Sequence, residues 1–234
     1  MAVQEMKGYN PYLVVLERPQ SVMSEAFRSA RTSLQFALRG QEVKTILVTS
    51  SVTEEGKTTA AVSLAITLAQ SGSRVVLVDC DLRRPSLHKI FGLPGRMGVS
   101  HLLTQDLDPG EVAQTTELEG LKVIVAGPRL PNPAEMLGQD RMHRILERLE
   151  EQADLVVLDS SPVLAVTDPV VLAAKVDAVV LVARFGVTRN EALRETHKRL
   201  DQAGARILGV LINNMQAREG GYYAYYNYEY KPRE

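Results

Sequence analysis

The sequence predicts a doubly wound α/β fold on a mostly parallel sheet. Three observations carry that expectation. Apolar runs of four to seven residues recur within KTILVTS, RVVLVDC, LKVIVAG, DLVVLDS, DAVVLVAR and ARILGVLIN. Stretches with helical spacing separate several of them, as right-handed crossovers between parallel strands require. The first run leads through a glycine-lysine-threonine turn into a helix-forming stretch, the place where such sheets bind ligands.

The elements follow in order. SVMSEAFRSARTSLQFALRG reads as an amphipathic helix ahead of the first strand, with Ser21 or Ser24 as N-cap and Gly40 as its stop. KTILVTS begins the sheet. Its length and its valine, isoleucine and leucine content, shared by the five later runs, fit strands buried on both faces. TTAAVSLAITLAQSG is a helix ending near Gly72. RVVLVDC and LKVIVAG are strands, DRMHRILERLEEQ a helix, and DLVVLDS and DAVVLVAR strands again. VTRNEALRETHKRLDQAG is a helix closed by Gly204, before the last strand, ARILGVLIN. A glycine pair then opens GGYYAYYNYEYKPRE, a flexible tail with six of the eight tyrosines. The expected organisation is one domain: an N-terminal segment, 1–40, with its helix, a core, 41–218, and the tail, 219–234.

Composition narrows the function. With 234 residues, 45% of them hydrophobic and 24% charged, the chain is ordinary globular material. A formal net charge of -1 gives no global basic field, so nucleic acid is not an expected partner. The single cysteine, Cys80, permits no disulfide framework and suits a reducing compartment. His88, His101, His143 and His197 lack metal-ligand spacing. No apolar run approaches the roughly 18 residues of a spanning helix, and MAVQEMKGYNPY lacks the apolar core of a signal peptide. The expectation is a cytoplasmic protein, which another polypeptide would have to bring to the inner face of the membrane if it acts there.

TSSVTEEGKTTA carries the chemistry. Against G-x-x-x-x-G-K-[ST] it matches as Ser51-x-x-x-x-Gly56-Lys57-Thr58, with serine replacing the first glycine. A phosphate site needs backbone N–H groups at a helix N-terminus, an ammonium for the β and γ phosphates and a hydroxyl for magnesium. Gly56, Lys57 and Thr58 supply them, and the fold expected is that of P-loop NTPases. The plain alternative is a serine-rich turn with a surface lysine. Two later strands then end in carboxylates, VVLVDCDLR with Asp79 and Asp81 and DLVVLDSSP with Asp159. Such groups are costly at the ends of apolar strands unless they bind a cation or cap a helix. Their coincidence with the loop favours the nucleotide.

Together these motifs resemble the bacterial tyrosine kinases, P-loop kinases associated with capsular and extracellular polysaccharide export. The family's second nucleotide motif, three apolar residues and D-x-D-x-R, is matched by Val76-Leu77-Val78-Asp79-Cys80-Asp81-Leu82-Arg83. Its third is matched by Leu155-Val156-Val157-Leu158-Asp159, and its N-terminal E-x-x-R-x-x-R by Glu25, Arg28 and Arg31. AGPRLPNPAEML, Ala126 to Leu137, resembles the family's linker, and the tyrosine tail stands where the family's stands.

The resemblance implies a protein-tyrosine autokinase that uses ATP and Mg2+ and regulates polysaccharide synthesis and export. Glu55, Gly56, Lys57, Thr58 and Thr59 would contact phosphates, and Asn213 the adenine. Thr58, Asp81 and Asp159 would hold the metal. Asp79 would accept the proton of the attacking tyrosine hydroxyl or orient that hydroxyl, with the division of base and metal roles between Asp79 and Asp81 open. Tyr222, Tyr223, Tyr225, Tyr226, Tyr228 and Tyr230 would be the phosphoacceptors. Glu25, Arg28 and Arg31, along one side of a helix, would pack on a neighbouring subunit and close a homo-oligomeric ring in which tails are phosphorylated in trans. A solvated ion-pair face is the plain reading of the same pattern. Implied partners are a membrane-protein activator acting through its cytosolic tail and a cognate tyrosine phosphatase.

Two readings compete. Partition and septum-positioning ATPases share the fold but place a second lysine early in the loop, where this chain has Val52. A nucleotide-binding scaffold without catalysis is favoured by the loop's departures: Thr53 and Glu54 replace the family's proline and glycine. If the position of Glu54 requires positive φ, the side chain costs about 1–2 kcal/mol.

Overall fold

The computed structural model describes residues 10–214. The six candidate phosphoacceptors, Tyr222 to Tyr230, and the tail boundary at 219 lie outside them. A short 3-10 turn, Pro11–Leu13, runs into α1 (Val14–Glu17) and α2 (Val22–Leu38). Ser21 caps α2, its hydroxyl accepting the Ser24 N–H at 3.2 Å. Ser24 is itself buried and donates to the Arg18 carbonyl at 2.6 Å. Of the two candidate serines, Ser21 is therefore the cap.

The alternating body follows as β1 (Thr45–Ser50), α3 (Lys57–Gln70), β2 (Val75–Asp79), α4 (Leu87–Ile90), α5 (Val99–Thr104), α6 (Pro109–Val112), β3 (Gln114–Thr115) and β4 (Leu121–Ile124). It continues with α7 (Pro133–Gly138), α8 (Asp140–Gln152), β5 (Leu155–Asp159), α9 (Asp168–Ala173), β6 (Ala178–Arg184), α10 (Asn190–Gln202) and β7 (Ile207–Asn213). The strands form one sheet in the order β3-β4-β2-β5-β1-β6-β7. Every pairing is parallel except β3 with β4.

Successive side chains of a strand face opposite layers, and here both layers are apolar. Ile46, Val48, Leu77, Val123 and Val157 pack toward α2 and α3, whereas Leu47, Val76, Val78, Ile124 and Leu158 pack toward Met142, Leu146 and Leu149 of α8. Hence these strands read as continuous apolar runs. Helix α3 follows the same logic, since all ten residues from Ala60 to Ala69 are buried. The sheet covers one side and the N-terminal helices the other, with Phe27 and Leu34 of α2 in the same core. An apolar residue buried in this way stabilises the fold by about 1.5–3 kcal/mol.

The final strand departs from the expectation of burial on both faces. β7 is the outer strand with β6 as its sheet neighbour, and Val210 and Ile212 are 50% and 53% exposed. The segment resembling a family linker also proves partly helical, because it runs into α7.

Candidate active site

The strand order sets the C-terminal ends of β2, β5 and β1 side by side. In the parallel register Val48 pairs with Asp159 and Asp159 with Asp79. The loop after β1 and two carboxylates distant in sequence therefore share one edge of the sheet, where neighbouring strands lie only about 4.8 Å apart.

Residues 51–56 form the loop. Glu54 takes φ 65°, so its position is left-handed as the family's glycine would suggest, and it is exposed. Its carbonyl accepts from Arg184 at 3.4 Å. Gly56 takes φ 90°, and a Cβ there would collide with the side-chain amide of Asn213. Asn213, at the end of β7, donates to the Glu55 carbonyl at 3.1 Å. Glu55 is 1% exposed. One carboxylate oxygen accepts the Val52 N–H at 2.9 Å, and the other accepts the hydroxyl of Thr188, in the loop after β6. The side chain of Glu55 is thus engaged within the fold, and its backbone leads into the N-terminus of α3.

Lys57, Thr58 and Thr59 begin α3, where backbone N–H groups have no partners within the helix. The Lys57 ammonium lies 3.1 Å from Asp81 and 3.8 Å from Asp159. Thr58 donates to Asp159 at 2.7 Å. Asp81 also accepts from the Arg84 N–H at 3.0 Å and from the Ser161 hydroxyl at 2.8 Å. Asp79 accepts the Ser86 and Leu87 N–H groups, both at 3.0 Å, with one oxygen. It therefore caps the start of α4, while its other oxygen is buried with no partner.

Burial and proximity separate these acids. Burial, reinforced by the Asp159 charge, pushes Asp79 up to about 7 against the pull of its two N–H donors. Burial likewise raises Asp159 to about 6, opposed by Lys57 and Thr58. Asp81 is buried too, but Lys57, Ser161 and Arg84 outweigh that effect and hold it below the usual carboxylate range. Burial works against the charge of Lys57, and Asp159, Asp81 and Asp79 overcome it, so its pKa is raised. The thiol of Cys80, which follows Asp79 in sequence, is fully buried, and its pKa is pushed well up by burial and by Asp79.

These residues fit a magnesium nucleotide. Among the described residues no three His, Cys, Asp or Glu side chains could hold a metal by themselves. A metal here would take the remaining ligands from phosphate and water, as magnesium commonly does. One buried oxygen each of Asp79 and Asp159 accepts no hydrogen bond, and that of Asp159 has only the Lys57 ammonium, at 3.8 Å, for compensation; such buried acceptors are costly without a donor or cation.

Three contacts fell outside the sequence reading. Thr188 and Ser161 carry no motif of their own; Ser161 could have been suspected from its place just after Asp159. The third is a bidentate pair in which Arg83 donates to both oxygens of fully buried Asp168, at 2.8 and 2.9 Å. It ties the turn after β2 to the start of α9.

The N-terminal triad is not a single solvated face. Glu25 and Arg28 pair at 2.8 Å. Arg31 instead turns inward and donates to the Thr67 carbonyl of α3 at 3.2 Å. All three positions lie on α2 as their spacing predicts, and the plain reading of a solvated ion-pair face holds for Glu25 and Arg28 but not for Arg31.

A family model described as an AAA domain matches residues 43–208. The tyrosine-protein kinase YwqD of Bacillus subtilis is 32% identical over 97% of this chain and 96% of its own length. The tyrosine-protein kinase etk of Escherichia coli is 36% identical over 92% of this chain, which spans only 30% of etk. The solved kinase domain of Escherichia coli ETK superposes with a TM-score of 0.82 at 35% identity, covering 95% of this chain and 89% of that one. No helix among the described residues is long and apolar enough to cross a membrane. By sequence over nearly its whole length, and by fold, the chain belongs to the family of bacterial tyrosine-protein kinases.

Proposed function

We propose that this chain is an ATP- and magnesium-dependent protein-tyrosine autokinase that phosphorylates its C-terminal tyrosine cluster in trans. The observation that carries the reading is the convergence of Lys57, Thr58, Asp81 and Asp159 at the N-terminus of α3.

Bound Mg–ATP supplies the phosphoryl group and neutralises charge that develops during its transfer. The protein's part is positioning. Lys57 exchanges its carboxylate partners for the β and γ phosphates, and the N–H groups of Gly56 to Thr59 cradle them. The Thr58 hydroxyl, Asp81 and Asp159 hold the metal. Asp79 keeps one oxygen on α4 and offers the other to the attacking tyrosine hydroxyl. With a pKa of about 7 it is suited to receive a proton near neutrality. The phenol itself ionises near 10, so alignment outweighs prior deprotonation. Asn213, already against the loop, is the candidate adenine contact.

A homo-oligomeric ring, assembled through the helix bearing Glu25, Arg28 and Arg31, would present each tail to the next site. A membrane protein with a cytosolic tail would activate and recruit it, a tyrosine phosphatase would reverse it, and the process regulated would be polysaccharide synthesis and export. Each phosphate adds about -1.5 to -2 charges, so a multiply modified ring is expected to loosen. An unchanged solution mass after full phosphorylation would count against that.

The primary test mixes the 234-residue protein with labelled ATP and magnesium. Label should enter the tail and be absent from Lys57→Met and from a chain truncated after residue 218. Incubating the truncated chain with Lys57→Met should restore label to the latter if transfer occurs in trans. Phosphate release without labelling would indicate an ATPase, and neither activity a scaffold.

A further inference from the structure

The loop of this chain lacks its first glycine and carries a side chain at a left-handed position, yet it is held in shape. What holds it is a chain of hydrogen bonds running away from the phosphate position. The buried carboxylate of Glu55 accepts the Val52 N–H, closing the loop upon itself, and accepts the Thr188 hydroxyl from the turn after β6. The Thr188 oxygen in turn accepts the Arg184 N–H at 2.7 Å, at the last residue of β6. Thr188 therefore donates to the loop and is itself oriented by the sheet.

We propose that Thr188 is a positioning residue for nucleotide binding, acting through Glu55. A carboxylate carries about four acceptor sites and no donor. Released from Thr188, Glu55 would lose its anchor while lying next to Gly56 and Lys57, where a loosened negative charge opposes phosphate. Its hold on the Val52 N–H would slacken with it. Thr188 touches no nucleotide in this account. It keeps an acid in the wall of the site so that the loop's backbone, and not that acid, faces the phosphates. The inference rests on the nucleotide-binding reading above, although the Thr188–Glu55 coupling is testable without nucleotide.

The experiment compares Thr188→Val, which keeps the shape and removes the hydroxyl, with Thr188→Ser, which restores it, alongside Glu55→Ala and the Glu55→Ala/Thr188→Val double variant. Calorimetric titration with Mg–ADP should show affinity about tenfold weaker in Thr188→Val, the size expected for stranding a charged buried acceptor. Thr188→Ser should stay within about twofold of the parent, and the double variant should be no weaker than Glu55→Ala alone. In nucleotide-free protein, amide exchange across residues 51–56 should quicken in Thr188→Val and not in Thr188→Ser. Should Thr188→Val fail to fold, Thr188→Ala replaces it with the same expectations. Parental Mg–ADP affinity in Thr188→Val, equal weakening in Thr188→Ser, or unchanged exchange at 51–56 would overturn the proposal. If the parent does not bind Mg–ADP, the nucleotide reading fails, while the exchange comparison still decides whether Thr188 orders the loop.

Discussion

The carboxyl of Asp79 gives one oxygen to the backbone at α4 and keeps the other buried without a hydrogen-bond partner. Plain capping, which competes with a catalytic role when only the sequence is considered, describes the first oxygen, and the second is the one the proposed function assigns to the tyrosine hydroxyl. Its pKa rises from 3.8 to about 7 because it is buried beside Asp159. The native state therefore favours the protonated form. That contribution is complete below about pH 4 and is lost as pH rises through about 7. Asp79→Asn keeps an acceptor for the α4 amides and removes the charge. In nucleotide-free protein it should be more stable than the parent at pH 8, by on the order of 1–3 kcal/mol, and nearly equal at pH 4. Urea titrations at the two values would show this, and equal differences at both would refute it. Glu54 offers a second test. Glu54→Gly relieves the left-handed strain but loosens the unfolded chain, leaving a net gain of about 0.5–1 kcal/mol. A loss of stability would mean that the Glu54 side chain makes a contact worth more than its strain.

Among the elements, those legible in the sequence were long enough to carry a period or a run. β1, β2, β4, β5, β6 and β7 announce themselves by apolar residues, and α3 by an apolar stretch too long for a strand. β3 does not, because Gln114 and Thr115 have no apolar content and pair only at the sheet's edge. α4, α5, α6, α7 and α9 span six residues or fewer, less than two turns, so no amphipathic pattern can develop. The site divides in the same way. Lys57, Thr58, Asp79, Asp81 and Asp159 were legible because a strand end or loop spacing marks them. Thr188 was not, since its role depends on which strand lies next to β1. Two element-level changes follow. Ser21→Ala removes the cap of α2 and should cost about 1 kcal/mol. Arg83→Gln leaves Asp168 buried beside a neutral partner; with Arg83 itself 42% exposed, the loss should be about 2 kcal/mol. Chemical denaturation reads both, and an Arg83→Gln loss no larger than that of Ser21→Ala would show the pair to be a surface contact.

At the scale of the whole molecule, burial is uneven across the sheet. The central strands are enclosed by two apolar layers, while β7 has half-exposed Val210 and Ile212. Val182→Thr in β6 places a hydroxyl where exposure is zero and should cost roughly 2 kcal/mol. Val210→Thr should cost less than about 0.5 kcal/mol. Comparable losses would mean that β7 is covered in solution by a surface outside residues 10–214. Just past the end of β2 lies the chain's only sulfhydryl, that of Cys80, fully buried in the apolar layer shared with α8. A thiol so enclosed reacts with an alkylating dye only during moments when the surrounding structure parts. The rate of dye uptake is thus a stopwatch for the opening of the sheet edge that bears the candidate site, readable by mass on unmodified protein. A ligand that binds only the closed form should slow that clock by the factor 1 + [L]/Kd.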